Sequence, residues 1–185
     1  MTRAKAGDPD IDYRALRFAF AAKPDFNPYG KAGAEHRAAM MKAYSAGDCA
    51  TAVKEAVEFF EASFGSIDGH IVSDICNGRL RNDAERARHH AIAAGLIHSI
   101  TDFGDGKSQE TAYVVISVDE EYSLLGVLGL NLGRQSLIKA EGHMFDQLDV
   151  TTTDGQPRSL LFNIDRVFAA YGNMFKQKQP QPPKP

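Results

Sequence analysis

An internal repeat of about 35 residues constrains the fold of this 185-residue chain more than any other sequence feature. The two units share an acidic residue followed by two alanines at the same spacing: Asp48, Ala52 and Ala56 in one, and Asp83, Ala87 and Ala91 in the other. Alanine suits a point where two antiparallel helices cross closely, because a larger side chain would hold them apart. Tetratricopeptide (TPR) repeats recur at about this length, so the pattern predicts TPR-like helical hairpins between residues 34 and 101.

One further helix is predicted before the repeat. Asp10 or Asp12 is a suitable N-cap for it, and Pro24 limits its C-terminal end. Residues 24–33 combine proline, asparagine and glycine, which is typical of a loop. Two hairpins are fewer than the three or so repeats that a free-standing solenoid needs. We therefore expect the first helix or the C-terminal half to cover the apolar edge of the hairpins.

The hydrophobic pattern changes after Thr101. Gly104 is expected to end the helix in a left-handed conformation, and the β-branched run 112–118 predicts a buried strand. Asp119 is expected to cap a short helix that Gly129 ends. The remaining predicted elements are strands near 135–140, 143–151 and 158–164, with a turn at Asp154-Gly155 between the last two, and a helix over 165–175.

These elements predict an α+β protein in which N-terminal TPR-like hairpins pack on a small, mostly antiparallel C-terminal sheet with one or two helices. The predicted organisation is a helical region over 1–101, an α+β region over 102–175, and a disordered proline-rich tail over 176–185.

The central block of the chain resembles a bacterial family known only as a domain of unknown function. The residues that carry the resemblance are Gly104-Asp105-Gly106-Lys107-Ser108, then the run from Thr111 to Val118, then Glu120-Glu121-Tyr122. Asp12-Tyr13, Leu16-Arg17 and Leu161-Phe162-Asn163 are also similar to that family. The resemblance implies the same helical front and α+β back, and it carries no activity. Family members often look exported, whereas no secretory signal is recognised here, so their location is not transferred to this chain.

Composition restricts the classes of partner. A net charge of −3 without a run of lysine and arginine argues against nucleic acid, because phosphate binding needs a concentrated positive surface. No stretch approaches the roughly 20 apolar residues of a membrane span, and the first residues do not form a secretory signal. We therefore expect a cytoplasmic protein with no membrane partner.

The cysteines and histidines do not predict a metal site or a cofactor. Cys49 and Cys76 are too few for a metal cage and are expected to be reduced, buried thiols. His89, His90 and His98 lack the spacing of a zinc-protease helix and are expected to be surface or packing residues.

Two further motifs favour structural roles. Gly106-Lys107-Ser108 lacks the earlier glycine of a phosphate-binding loop, because Thr101 occupies that position, and the predicted order is helix before strand. Asp119, Glu120 and Glu121 are adjacent on a helix, where side chains point about 100° apart and do not converge. We expect them to be solvated acids in the first turn.

The leading functional hypothesis is a non-enzymatic protein-binding module, such as an adaptor, a chaperone or a toxin-neutralising immunity protein, with another protein as partner. The residues expected to bind it are exposed on two helices: Glu35, His36, Arg37 and Lys42 on one, and His70, Asp74, Asn77 and Arg79 on the next. The alternative is a small hydrolase or ligand-binding enzyme with an acidic site in the C-terminal half. That site would comprise Asp105, Lys107, Asp119, Glu120 and Glu121.

Overall fold

In a computed structural model, the N-terminal half is helical and the C-terminal half is a four-stranded sheet with two helices, which confirms the α+β class. The structure describes residues 1–8, 10–29 and 32–178, with side chains up to residue 173. The helices are α1 (Thr2–Lys5), α2 (Tyr13–Ala21), α3 (Ala34–Ser45), α4 (Cys49–Ser63), α5 (Ile67–Arg79), α6 (Asp83–Thr101), α7 (Val118–Val127) and α8 (Asp165–Lys178). The strands are β1 (Tyr113–Val114), β2 (Asn131–Ala140), β3 (His143–Thr151) and β4 (Pro157–Asn163).

Side-chain caps set the starts of several helices. Asp12 accepts a hydrogen bond from the Ala15 N–H at the start of α2, and Asp48 accepts one from Thr51 at the start of α4. Helices α3 to α6 lie within 34–101, as the sequence predicts. Ala52 and Ala56 are fully buried, as expected at a helix crossing, but Ala87 is exposed, so the second unit does not reproduce the packing of the first.

The sheet has the order β1-β4-β3-β2, in which β1 runs parallel to β4 and the other pairs are antiparallel. The predicted strand over 112–118 is therefore wrong beyond residue 114. The backbone there has other partners: the Ile116 N–H donates to the Glu120 carboxylate, and the Val118 N–H donates to the Pro28 carbonyl.

Two predicted helix ends also differ. Gly104 is not left-handed; a Cβ there would lie 2.4 Å from the Thr111 carbonyl oxygen, so glycine permits a close backbone approach. Asp119 lies inside α7 and does not cap it. The cap is Ser117, whose side chain accepts a hydrogen bond from the Glu120 N–H.

Glycine-containing turns join the three long strands. Glu141 and Gly142 both have positive φ in the β2–β3 hairpin, the pattern of a type I′ turn. Gly155 has a φ of 81° in the β3–β4 connection, where the turn was predicted. Residues 176–178 belong to α8, which corrects the predicted start of the tail; 179–185 lie outside the described residues.

Two apolar clusters form the core. The larger one joins the two halves of the chain, because Leu96 of α6 packs with Leu124, Leu148 and Phe162 of the α+β region. The smaller one lies among α3, α4 and α5. None of the described helices has the length and apolar character needed to cross a membrane.

Cys49, the first residue of α4, forms a disulfide with Cys76 in the last part of α5, so the prediction of reduced thiols is wrong. Their Cα atoms are 4.9 Å apart, within the usual range for such a bond. The packing of α4 on α5 brings together two cysteines that are 27 residues apart, and neither cysteine's local sequence indicates this pairing.

Candidate functional site

A cavity of about 430 Å³ lies where the helical half meets the start of α7. Its wall comes from α2 and the loop after it, from the α4–α5 turn, and from the residues around the first turn of α7. This volume is in the range of pockets that bind small molecules or single large side chains. Because both regions of the chain contribute to it, the cavity depends on the whole fold.

The cavity wall combines aromatic and charged side chains. Phe20, Phe26 and Phe60 contribute aromatic surface, and Lys23 and Asp119 contribute opposite charges. The Lys23 ammonium lies 4.1 Å from the centroid of the Phe20 ring. The loop that contains Phe26 was predicted only as a connection. The available signal in the sequence was an aromatic residue among proline, asparagine and glycine.

A buried ion pair between Arg17 and Glu120 also lines this cavity. The Arg17 side chain is 1% exposed, and its Nε and Nη2 donate to the two Glu120 carboxylate oxygens at 2.6 and 2.5 Å. Nη1 donates to the carbonyl and hydroxyl oxygens of Ser99, and Nη2 also donates to the Val114 carbonyl. The guanidinium therefore uses all its N–H groups to join α2, α6, β1 and α7.

Glu121, the next residue, has a different environment. It is fully buried, and neither carboxylate oxygen has a hydrogen-bond partner among the described residues. Burial, followed by the nearby charges of Asp146 and Glu120, raises the pKa of Glu121 to about 8. The prediction of solvated acids is wrong for both Glu120 and Glu121, since α7 packs its first turn against the core.

A short polar chain leads from Asp146 toward the surface. The Asp146 carboxylate, whose pKa is raised by burial, accepts a hydrogen bond of 2.6 Å from the Gln135 amide. The exposed Tyr122 hydroxyl donates to the same amide's oxygen at 3.0 Å. These residues lie between α7 and the β2 edge of the sheet.

The structure divides the predicted acidic site between separate places. Asp105 and Lys107 are exposed and pair with each other at 2.7 Å, and this contact holds the pKa of Asp105 well below its usual value. Among the described residues, Asp119 and Glu120 line the cavity, whereas Asp105, Lys107 and Glu121 do not.

The predicted binding residues of α3 divide between exposed positions and contacts with neighbouring helices. Glu35 and Lys42 are exposed. His36 and Arg37 contact neighbouring helices: His36 Nδ1 lies 2.9 Å from a Glu55 oxygen, which raises the pKa of His36, and Arg37 donates to Asp68 at 2.7 Å.

Two of the four predicted binding residues of α5 are not on the surface. His70 and Asn77 are buried against neighbouring elements, so their assignment to an exposed binding surface is wrong. Asp74 is half-buried and pairs with His90 at 2.9 Å, whereas Arg79 is exposed. The α5 sequence has weak amphipathic periodicity, which explains why its buried face was misassigned.

His70 and His89 form a buried pair behind the cavity wall. His70 Nε2 donates to the Phe64 carbonyl at 2.8 Å, so His70 Nδ1 is an acceptor for the His89 Nδ1–H, also at 2.8 Å. His89 Nε2 then accepts from Arg88 at 3.0 Å, and Phe60 stacks on His70 with ring centroids 4.2 Å apart. Burial lowers the pKa of His70 to about 3 and that of His89 to about 4, which keeps both rings neutral.

No curated protein and no solved structure matches this chain. A family model described as "Domain of unknown function (DUF4919)" matches residues 1–173. Since that match covers nearly the whole sequence, the chain belongs to this family.

Proposed function

We propose that the protein is a non-enzymatic binding module whose cavity accepts an apolar side chain of a partner protein. The observation that carries the proposal is the composition of the wall, where aromatic surface from Phe20, Phe26 and Phe60 lies beside the charged groups of Lys23 and Asp119. Burial of a large apolar side chain stabilises a complex by about 1.5–3 kcal/mol. Flanking charges fix the orientation of the partner and disfavour wrong partners.

The contacts of the ion pair favour a binding role. Arg17 has no N–H group left for a ligand, since Glu120, Ser99 and Val114 accept from all of them. The pair therefore stabilises the cavity wall and holds it in one shape before a partner arrives. Such preorganisation reduces the entropy lost on binding.

The partner's flanking residues would contact the accessible side of the helical half. Glu35, Lys42 and Arg79 are exposed and remain candidates for contact with the partner. A TPR-like use of the helical hairpins, a role as an adaptor, chaperone or immunity protein, and a bacterial origin belong to this proposal. The cytoplasmic setting stays a prediction that the Cys49–Cys76 disulfide does not favour. His70 and Asn77 do not.

Selection from a displayed library of random peptides tests the proposal. Gly65 lines the cavity, has an ordinary backbone conformation, and has no heavy atom within 4 Å of the position of an added Cβ. Gly65→Leu should occupy the cavity and weaken the selected peptides about tenfold or more. The matched control is Gly126→Leu, because Gly126 of α7 has the same free space and does not line the cavity.

The proposal predicts that the selected peptides share a large apolar residue and bind Gly126→Leu as well as the original protein. Selection of peptides whose affinity is the same for both variants would contradict it. A thermal unfolding curve for each variant shows whether the fold is retained.

A small-molecule site with hydrolytic or simple ligand-binding activity is the second candidate function. It is favoured by Asp119 and Glu120, the two members of the predicted acidic set that line the cavity. A screen of small amines and esters by thermal shift, repeated with Asp119→Asn, tests it. Ligands that stabilise the protein and lose this effect in the variant would support the second candidate over a protein partner.

A further inference from the structure

Two arginines stack on aromatic rings at one place on the surface. The Arg14 guanidinium carbon lies 4.0 Å from the centroid of the Phe103 ring and 5.3 Å from that of the Phe18 ring. The Arg166 guanidinium carbon lies 3.6 Å from the same Phe18 centroid. These four residues form a row in which aromatic and cationic groups alternate, and we call it the arginine–aromatic row. All four are among the described residues, and none of them lines the cavity.

Three helices bring the row together. Arg14 and Phe18 are four residues apart on α2, so they lie on the same face of that helix. Phe103 follows the end of α6, and Arg166 is in the first turn of α8. Because α2 contacts both α6 and α8, the row exists only in the folded chain.

The positive charges of the row are not neutralised within the part of the chain that the structure describes. The only contacts that the two arginines make there are with the rings, and neither has an ion pair or a hydrogen-bond acceptor. The acids beside the row residues in sequence have other partners: Asp12 caps α2, Asp102 pairs with His98, and Asp165 pairs with His143. Two like charges around one ring repel each other, and an anion bound to both would remove that repulsion.

The chemistry of the row indicates what kind of partner it fits. Stacking uses the flat face of a guanidinium and leaves the N–H groups at its edge able to bind carboxylates. Phe103 is 56% exposed beside these charges, so it offers apolar surface to the same ligand. In an extended peptide, alternate side chains lie on one side about 7 Å apart, which lets two carboxylates reach two guanidinium groups that share one ring. Arginine and aromatic residues are also enriched where protein interfaces gain most of their binding energy.

We propose that the arginine–aromatic row is a second interaction surface, which binds an acidic segment of another protein. The segment has acidic residues at two alternate positions and an apolar residue beside them. Its carboxylates accept hydrogen bonds from Arg14 and Arg166, and its apolar side chain packs on Phe103. This surface is separate from the cavity and does not depend on the function proposed for it.

The probe for this site is a synthetic peptide with blocked ends that contains glutamate, serine, glutamate and phenylalanine in that order. Nuclear magnetic resonance titration measures its affinity and follows the Nε–H signals of the two arginines. Arg14→Met and Arg166→Met keep an apolar side chain on the rings and remove the charge, so each should weaken binding about tenfold or more. Arg158→Met is the matched control and should leave binding unchanged, because Arg158 is exposed on β4 and also has no ion pair among the described residues.

Saturable binding that shifts the Nε–H signals of Arg14 and Arg166, weakens at high salt and is reduced in both variants would support the proposal. Absence of saturable binding, or equal affinity for a peptide with glutamine in place of both glutamates, would overturn it. Phenyl phosphate that binds the row when the acidic peptide does not would also overturn it, because the ligand would then be a small phosphorylated molecule. Dimerisation that is lost in Arg14→Met would overturn it in favour of a second copy as the occupant. Gly65→Leu should bind the probe normally, so failure at the cavity and failure at this row are distinguishable.

Discussion

Replacement of Glu121 by glutamine should make the protein more stable, and increasingly so as the pH rises. The Glu121 carboxyl is fully buried without a hydrogen-bond partner among the described residues, and its pKa is about 8 against an ordinary value of 4.5. Between these two pH values the folded protein binds a proton that the unfolded chain has released. The unfolding free energy therefore falls as the pH rises through this window.

The size of the effect follows from the pKa shift. Each pH unit well inside the window changes the free energy by about 1.4 kcal/mol, and the change levels off near each pKa. The natural protein should therefore lose about 3.5 kcal/mol relative to Glu121→Gln between about pH 5 and 8. Glutamine has nearly the same shape as glutamic acid and does not titrate. Contributions from groups that both proteins share, such as the His70–His89 pair, cancel in the difference.

Urea unfolding of both proteins, followed by far-UV circular dichroism at several pH values, measures this difference. We expect the two stability curves to approach each other at acidic pH and to diverge toward pH 8. Curves that stay parallel across the whole range would refute the assignment of a protonated, buried Glu121.

Three other predictions concern stability. On acidification from about pH 7 to 5, the unfolded natural chain takes up a proton at His70, whereas the folded protein does not, so the natural protein loses stability. His70→Phe lacks this group and should lose about 2 kcal/mol less unfolding free energy over the same range, as urea unfolding at both pH values can check. Reduction of the disulfide, which closes a loop with a sequence separation of 27, should lower the unfolding free energy by about 3.5 kcal/mol, as measured with and without reductant; equal values would contradict the cross-link. Arg17→Met should lower the unfolding free energy by about 3–5 kcal/mol, because it leaves the Glu120 carboxylate buried without its ion-pair partner. The double variant Arg17→Met/Glu120→Leu should recover much of this loss in thermal unfolding. An equally large loss in the double variant would contradict the pairing.

The features predicted correctly from the sequence are mostly local ones. Asp12 caps its helix through a contact three residues away, and the β3 and β4 strands follow from their apolar pattern. Local sequence patterns did not predict the contacts between residues that are distant in the chain and that meet only through tertiary packing. Arg17 and Glu120 are 103 residues apart, and no pattern in either segment indicates that they meet.

The candidate site was predicted only in part for the same reason. Asp119 and Glu120 were chosen as acids on a helix, but the cavity also needs the α4–α5 turn and the loop after α2, which converge only in the folded chain. His70 was assigned to the surface because polar residues usually lie there. In the structure, the Phe64 carbonyl and His89 satisfy both ring nitrogens, which makes burial possible.

The disulfide bears on where the protein works. Disulfides persist mainly in oxidising compartments and are rare in the cytosol. The bond between Cys49 and Cys76 therefore favours a location outside a reducing cytosol, and the cytoplasmic location stays a prediction.

The most direct test of the binding role is a nuclear magnetic resonance titration of the protein with a peptide selected from the displayed library. If the peptide binds in the cavity, amide signals from three separated segments should shift together: the loop around Phe26, the turn around Gly65, and the start of α7 around Asp119. These shifts should be absent in Gly65→Leu and present in Gly126→Leu. Shifts confined to β2, or scattered over the surface without these three segments, would contradict the cavity as the binding site.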